Sequence, residues 1–264
     1  FLCASTRGNG VTGEDVTAQA RTIKSIPMRI AFDGVAEAKG ECIMRRSAFR
    51  KYNETAEEPL KNPRNGAAGA LRNLDPKVTA KRNLDMIFYD VNYISDDSID
   101  SQRHGVEWLK NNKFKTEKLI VTSDIEQIIS EIQAVDRDSL DFDIDGMVIK
   151  VDDYALRESL GYTDKFPRWA IAYKFEAEET TTTVRDVIWQ VGRTGKLTPL
   201  ALLDPVELCG ATVRRATLNN YGDIVRKKVR IGSTVFIRRS NDVIPEILTA
   251  DPQTGSGELL PPKF

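Results

Sequence analysis

The stretch Asp143-Ile144-Asp145-Gly146-Met147-Val148-Ile149-Lys150 contains an Asp-Gly turn signal followed by a β-strand with alternating side chains. The fold prediction starts from this stretch. Alternation sorts its side chains onto two faces, with Asp143, Asp145, Met147 and Ile149 on one and Ile144, Val148 and Lys150 on the other. Carboxylates at the entrance of a strand suit a hard divalent cation. A lysine further along can bind phosphate as a point charge. A simple hairpin with solvated ends fits the same spacing.

The neighbouring strand is predicted at residues 169–175, which are apolar apart from Lys174. A lysine embedded in an apolar strand loses solvation unless a fixed anion compensates it, so Lys174 is expected to face an anion. The alternative is an edge strand along which the side chain reaches solvent.

Two further candidates lie upstream. Arg7 belongs to Thr6-Arg7-Gly8-Asn9-Gly10, a loop in which glycines let backbone amides approach a ligand, although a solvated turn arginine fits equally well. Glu41 follows Gly40 beside the apolar run 42–44, where its carboxylate could accept a ribose hydroxyl or cap a helix.

Helices and one more strand are predicted around these segments. A helix is expected to begin at Gly13, with Asp15 in an acidic first turn. The other helices are predicted at residues 47–57 (capped by Ser47), 64–73, 101–112 and 123–135 (capped by Ser123), with a strand at 84–91. In the second of these helices, Arg64 and Arg72 are eight residues apart and therefore lie on roughly one face.

Composition narrows the class of protein. Of 264 residues, 41% are hydrophobic and 29% charged, as in folded globular proteins, and no apolar run approaches the ~18 residues of a membrane helix. This length predicts one large domain or two modest ones. The three cysteines are odd in number and form no Cys-x-x-Cys pair, so a reducing cytoplasm is expected rather than a disulfide framework.

The single histidine, His104, restricts the chemistry. A serine or cysteine triad would have to use it, and no recognisable nucleophile is beside it in the sequence. We therefore interpret His104 as a solvated residue near a helix end. The chemistry of the chain is expected to depend on lysine, arginine and carboxylates.

The predicted secondary structure and the net charge both change near residue 184, where a domain boundary is predicted. Short strands with almost no helical period follow, which predicts a small barrel or sandwich. Residues 185–264 hold twelve Lys and Arg against eight Asp and Glu, a net charge of +4, while residues 1–184 carry −5 of the chain total of −1. One-sided basicity is typical of a polyanion-binding module. The turns are predicted at Gly192, Gly195, Gly210, Gly222 and Gly232.

The recognisable strings, in order along the chain, are residues 6–10, 13–17, 21–23, 26–27, 40–41, 62–65, 67–69, 143–150, 167–175 and 190–195. They closely resemble those of bacterial NAD-dependent DNA ligases and cover nearly the whole chain. The resemblance implies an α+β nucleotidyltransferase (DNA ligase/mRNA capping enzyme-like) adenylation domain at 1–184, followed by an all-β OB-fold at 185–264. OB-folds are five-stranded barrels that bind oligonucleotides, in agreement with the basic charge.

The resemblance also implies roles for individual residues. For the adenylate of NAD, it implies that Arg7 contacts the AMP portion, Glu41 the ribose and Tyr89 the adenine, while Val148, Lys150 and Lys174 hold the nucleotide. Lys174 and Asp145 would be catalytic, with Lys174 near the α-phosphate and Asp145 binding Mg²⁺ or Mn²⁺. Arg64, Arg72 and Arg193 would contact DNA phosphates. Such chemistry is mainly positioning and charge neutralisation, so it needs no histidine.

The implied activity is the sealing of nicks in duplex DNA. In this family a lysine becomes adenylated by NAD with release of nicotinamide mononucleotide, AMP passes to the 5′-phosphate of the nick, and the 3′-hydroxyl displaces it. The protein is expected to be a cytoplasmic monomer without membrane contact, with zinc only in regions beyond these residues.

The family nucleophile lies in a Lys-x-Asp-Gly motif upstream of the Thr-Arg-Gly loop, and residues 1–264 contain no such motif. Residues 31–34, Ala-Phe-Asp-Gly, resemble it but fall in the wrong order. The polypeptide alone is therefore expected not to adenylate itself. Further departures from the family pattern are Asn9, Asn219 and Ser240-Asn241.

Two alternatives remain. The first is a non-catalytic DNA-binding relative that acts as a scaffold. The second, an ATP-using ligase or capping enzyme, is disfavoured by residues 62–65 and 167–170, which resemble the NAD-dependent branch.

Overall fold

The computed structural model describes residues 1–96, 98–175, 179–208, 211–240 and 244–257. The chain forms two compact units, Phe1–Lys174 and Phe175–Phe264. This division precedes the boundary expected at 184, because β5 (Glu179–Val191) pairs with β8 (Thr234–Ser240) from its first residue. Of the sequence features noted above, Gly210 and Asn241 lie outside the described residues. No helix in the described ranges is long and apolar enough to cross a membrane.

The N-terminal unit combines helices with two two-stranded antiparallel sheets, as the α+β prediction requires. β1 (Ala36–Ile43) pairs with β2 (Asp85–Ile94), and β3 (Gly146–Lys150) pairs with β4 (Ala170–Lys174). The core gathers buried side chains from several elements, including Met44, Phe88 and Leu109. The helices are α1 (Thr17–Ala20), α2 (Arg46–Asn53), α3 (Pro63–Leu71), α4 (Pro76–Arg82), α5 (Gln102–Asn111), α6 (Ile125–Gln133) and α7 (Tyr154–Leu160).

Several helices begin at residues other than those predicted. α1 starts at Thr17 rather than Gly13, and its first turn contains no acidic residue. Ser47 lies inside α2, where its hydroxyl donates to Asp141. α6 is capped by Asp124, which accepts the N–H of Glu126, and not by Ser123. In each case another carboxylate accepts an amide N–H of the first turn: Asp15 in α1, Asp141 in α2 and Asp124 in α6.

The C-terminal unit is a closed barrel with strand order β5-β6-β7-β9-β8. The other strands are β6 (Leu197–Leu208), β7 (Ala211–Thr217) and β9 (Ile244–Ala250). Fully buried side chains form its core, among them Val184, Ala201, Ile237 and Ile247. The five-stranded barrel confirms the all-β prediction and is the architecture of an OB-fold.

One helix in this unit was not expected from the sequence. α8 (Tyr221–Arg226) lies between β7 and β8 and is capped by Asn220, whose side chain accepts the N–H of Asp223. Six residues are too few to show a helical period, which explains the missed prediction.

Candidate functional site

Tyr89 is placed by a β-bulge between β1 and β2. Gly40 pairs with Phe88 and Lys39 pairs with Asp90, so Tyr89 is the extra residue of the bulge. Bulges redirect a side chain and are frequent beside functional sites. Burial, followed by the carboxylates of Glu41 and Asp90, raises the pKa of Tyr89, while the Arg7 guanidinium lowers it. Glu41 and Arg7, both predicted site residues, therefore lie close enough to Tyr89 to influence its phenol.

The β3–β4 sheet brings three predicted residues onto one face. Gly146 pairs with Lys174, and Lys150 pairs with Ala170, so Val148, Lys150 and Lys174 share a face of the β3–β4 ribbon. Gly146 is required for this pairing, since a Cβ there would lie 2.0 Å from the carbonyl oxygen of Tyr173. The Val148 side chain is 61% exposed and is available to a flat apolar ligand.

Lys174 is exposed, which contradicts the desolvation argument made from the sequence. Each strand of the two-stranded β3–β4 ribbon is an edge, and so β4 leaves its lysine accessible to water. Its predicted role in holding an adenylate therefore depends on its position beside Val148 and Lys150, not on burial.

Lys150 connects the β3–β4 sheet to the β1–β2 sheet. Its Nζ donates to Asp90 Oδ2 at 2.9 Å and lies 5.4 Å from the centre of the Tyr89 ring. Asp90 and Gln102, which also accepts a hydrogen bond from Lys150 Nζ at 3.4 Å, were not identified from the sequence. A carboxylate in the middle of the strand that contains Tyr89, between the apolar residues 86–88 and Val91, was the available signal for Asp90.

The glycine loop that contains Arg7 is closed by two hydrogen bonds between Thr6 and Glu14. Gly13 is required for the closure, because a Cβ at this position would lie 1.9 Å from the carbonyl oxygen of Thr6. Inside the loop, Asn9 Oδ1 accepts the N–H groups of two later residues. The loop borders an open cavity of about 500 Å³, lined by Thr6, Arg7, Gly8, Thr12, Gly13, Glu14 and Arg72.

Asp145, the predicted metal ligand, pairs with a predicted DNA-binding residue. Its Oδ2 lies 3.3 Å from Arg64 Nη1, and both side chains are about half exposed. Within the described ranges, no group of three or more His, Cys, Asp or Glu side chains is arranged to hold a metal ion. A single carboxylate still suits Mg²⁺, which usually binds one or two carboxylates together with substrate phosphates and water.

The remaining predicted residues lie at the surface. Arg72 follows the last residue of α3, with its Nε 3.9 Å from a Glu14 carboxylate oxygen. Arg193 is exposed in the turn between β5 and β6, in the C-terminal unit. His104 lies near the start of α5 and contacts Asp100 at 2.5 Å, so the structure agrees with a surface helix histidine.

Comparison with known proteins gives matches over both units. The NAD-dependent DNA ligase adenylation domain family matches residues 1–178, and the NAD-dependent DNA ligase OB-fold domain family matches residues 181–258. A protein named DNA ligase 2 from Clostridium acetobutylicum is 57% identical over 257 residues, which are 96% of this chain and 38% of that protein.

Other DNA ligases match the chain with similar identity and coverage. A DNA ligase of Clostridium tetani is 56% identical over 92% of this chain and 37% of its own length, and one of Alkaliphilus metalliredigens is 54% identical over 95% and 38%. The chain thus spans less than two fifths of the curated relatives it matches. With both domain families matched in order, the chain belongs to the NAD-dependent DNA ligase family.

Proposed function

We propose that residues 1–264 provide the adenylate-binding and part of the DNA-binding apparatus of an enzyme that seals nicks in duplex DNA with NAD. The observation that carries this proposal is the position of Lys150. Its ammonium lies 5.4 Å from the centre of the Tyr89 ring and shares a strand face with Val148 and Lys174. An aromatic ring, an exposed apolar side chain and two ammonium groups suit a purine nucleotide with its phosphate.

In the proposed complex, Tyr89 and Val148 contact the adenine, and Glu41 accepts a hydrogen bond from a ribose hydroxyl. Lys150 and Lys174 neutralise phosphate charge, while Arg7 contacts the AMP portion from the glycine loop. This assignment is supported by the proximity of Glu41 and Arg7 to Tyr89, since the Glu41 carboxylate raises the pKa of its phenol and the Arg7 guanidinium lowers it. Fixed positive groups around the reacting phosphate are the main source of catalysis in phosphoryl transfer.

Asp145 is proposed to bind Mg²⁺ (or Mn²⁺) together with nucleotide phosphate oxygens. The ion would supply positive charge that stabilises the charge developing on the phosphate. Its binding must displace the Arg64 guanidinium from the Asp145 carboxylate or share the carboxylate with it.

Arg64 and Arg72 are proposed to bind phosphates of nicked DNA, with Arg193 as a contact from the barrel. The exposure of all three and the +4 charge of residues 185–264 support this role. Phosphate contacts by arginine add affinity without sequence preference. The cysteine content supports a cytoplasmic location, and a monomer is proposed.

The test is equilibrium binding of AMP and of nicked DNA, together with the intact mass after incubation with NAD and Mg²⁺. We expect AMP and nicked DNA to bind and the mass to stay unchanged, since residues 1–264 contain no Lys-x-Asp-Gly motif. A stable adenylated mass would show that another lysine is the nucleophile. Binding of DNA without AMP would favour the non-catalytic scaffold.

A further inference from the structure

Gln102 is a buried polar residue that links several parts of the candidate site. It is the first residue of α5, directly after the capping Ser101, and only 6% of it is exposed. Its Nε2 donates to the carbonyl oxygen of Tyr89 at 2.7 Å. That carbonyl belongs to the extra residue of the β-bulge, which pairing between β1 and β2 leaves without a regular ladder partner.

The other end of the same amide faces two cations. Gln102 Oε1 accepts from Arg157 Nη2 at 2.9 Å and from Lys150 Nζ at 3.4 Å. Because Nε2 must donate to a carbonyl and Oε1 must accept from cations, the orientation of the amide is fixed. Gln102 therefore connects the Tyr89 backbone to the Lys150 side chain.

The Arg157 side chain supports the Gln102 amide to which it donates. It is 8% exposed, its Nε donates to the carbonyl oxygen of Val151, and its guanidinium lies 4.6 and 4.5 Å from the ring centres of Tyr154 and Trp169. A guanidinium held by ring faces and a main-chain carbonyl gives the Gln102 amide a rigid support.

The hydrogen bonds of the Lys150 ammonium show how the supported Gln102 amide affects its orientation. An ammonium has three N–H donors, and among the described residues Lys150 uses two of them, on Asp90 and Gln102. The two acceptors fix the direction of the third donor, while the Nζ stays 5.4 Å from the centre of the Tyr89 ring. A phosphate attached to a nucleoside stacked on Tyr89 is the ligand that this third donor suits.

We infer that Gln102 is a positioning residue for nucleotide binding, which sets the Lys150 ammonium relative to the Tyr89 ring through one buried amide. The inference depends on the proposed function, because it assumes a nucleotide between these groups. Gln102 itself contacts no ligand and carries no charge, so it orients Lys150 without neutralising it. Its removal should weaken recognition of the phosphate more than recognition of the nucleoside.

The experiment compares the affinities of AMP and adenosine for the chain by isothermal titration calorimetry. Wild-type chain should bind AMP at least about tenfold more tightly than adenosine, as a charge-assisted hydrogen bond predicts. Gln102→Met should reduce this ratio about fivefold to tenfold. Gln102→Asn keeps a buried amide, disturbs folding less, and should change the ratio in the same direction.

The matched control is Gln19→Met. Gln19 is also a buried glutamine whose Nε2 donates to a carbonyl oxygen at 2.7 Å, that of Asn73, and it makes no contact with Lys150. This variant should keep the wild-type ratio even where it lowers the melting temperature. In a Lys150→Met background, Gln102→Met should have no further effect on the ratio, since Gln102 acts through Lys150.

The outcomes separate the two claims. A wild-type ratio near one would contradict the proposed function and the inference together. A high wild-type ratio that Gln102→Met and Gln102→Asn leave unchanged would overturn the inference alone, as would a full Gln102→Met effect in the Lys150→Met background.

Discussion

The Lys150 ammonium lies 2.9 Å from the Asp90 carboxylate, and neither side chain is more than one-fifth exposed. Asp90 belongs to β2 and Lys150 to β3, so this ion pair joins the two two-stranded sheets of the N-terminal unit. A mostly buried pair adds little net stability over apolar residues, but removal of one partner leaves the other charge uncompensated. Burial and the Asp90 carboxylate also raise the pKa of nearby Tyr154 to about 12, so its phenol remains neutral.

Asp90→Asn should destabilise the N-terminal unit. The asparagine keeps the shape of the side chain but leaves the Lys150 charge without its anion, and we expect a loss of about 1–3 kcal/mol in the free energy of unfolding. Thermal melting followed by tryptophan fluorescence measures this. Asp164→Asn is the control, since Asp164 is exposed and has no ion pair among the described residues. Equal melting temperatures for the two variants would refute the prediction.

The lowered pKa of Asp85 predicts how the stability of the fold changes as the pH falls. Burial pushes the pKa of Asp85 upward, but hydrogen bonds from Lys115, Ser25 and Arg45 outweigh it, so the pKa lies below its ordinary value. Lys115 Nζ and Arg45 Nε lie 2.5 and 2.6 Å from its carboxylate. Because the folded-state pKa is lowered, this carboxylate stabilises the fold above the unfolded pKa of about 4. That contribution is lost as pH falls through the folded pKa.

Asp85→Asn should therefore lower the free energy of unfolding by about 2 kcal/mol at neutral pH. The difference from wild type should shrink as pH decreases below about 4. Urea unfolding over a pH series measures both effects. Glu58→Gln, which changes an exposed carboxylate, provides the reference. A difference that stays constant down to about pH 2 would disprove the linkage to Asp85.

Arg64 on α3 and Arg72 directly after it are exposed, and they predict how DNA binding depends on base sequence and on salt concentration. Arg64→Ala and Arg72→Ala should each weaken binding of nicked duplex to a similar degree for all sequences, and should each reduce the slope of log affinity against log salt by about one. Fluorescence anisotropy at several salt concentrations gives both quantities. Arg29→Ala removes the same charge from an exposed residue of another segment and should change the slope less. A loss restricted to particular sequences would indicate base contacts instead.

The sequence predicted those parts of the site that follow from local periodicity. Alternation along residues 143–150 placed Val148 and Lys150 on one face, and the register of β3 with β4 agrees with that assignment. The position of Tyr89 could not be predicted in this way, because a β-bulge is a slip in pairing that the hydrophobic pattern of either strand does not encode.

Contacts between distant segments were also beyond sequence reasoning. Lys150 meets Asp90 and Gln102 only because the two small sheets and α5 pack together, and no spacing rule relates residues so far apart. The burial argument for Lys174 failed for a related reason. An apolar strand pattern cannot distinguish a central strand from an edge strand, and both strands of the β3–β4 ribbon are edges.

Two glycine substitutions should have opposite effects on stability. In Gly13→Ala the new Cβ would lie 1.9 Å from the carbonyl oxygen of Thr6, so the loop must open, and we expect a loss of about 2–4 kcal/mol together with weaker AMP binding. In Gly69→Ala the new Cβ on α3 meets nothing within 4 Å, so the variant should gain about 0.5–1 kcal/mol from helix propensity. Chemical denaturation of both variants gives the sign of the change in the free energy of unfolding. Retention of wild-type stability by Gly13→Ala would mean that the loop around Arg7 is not closed against Thr6 in solution.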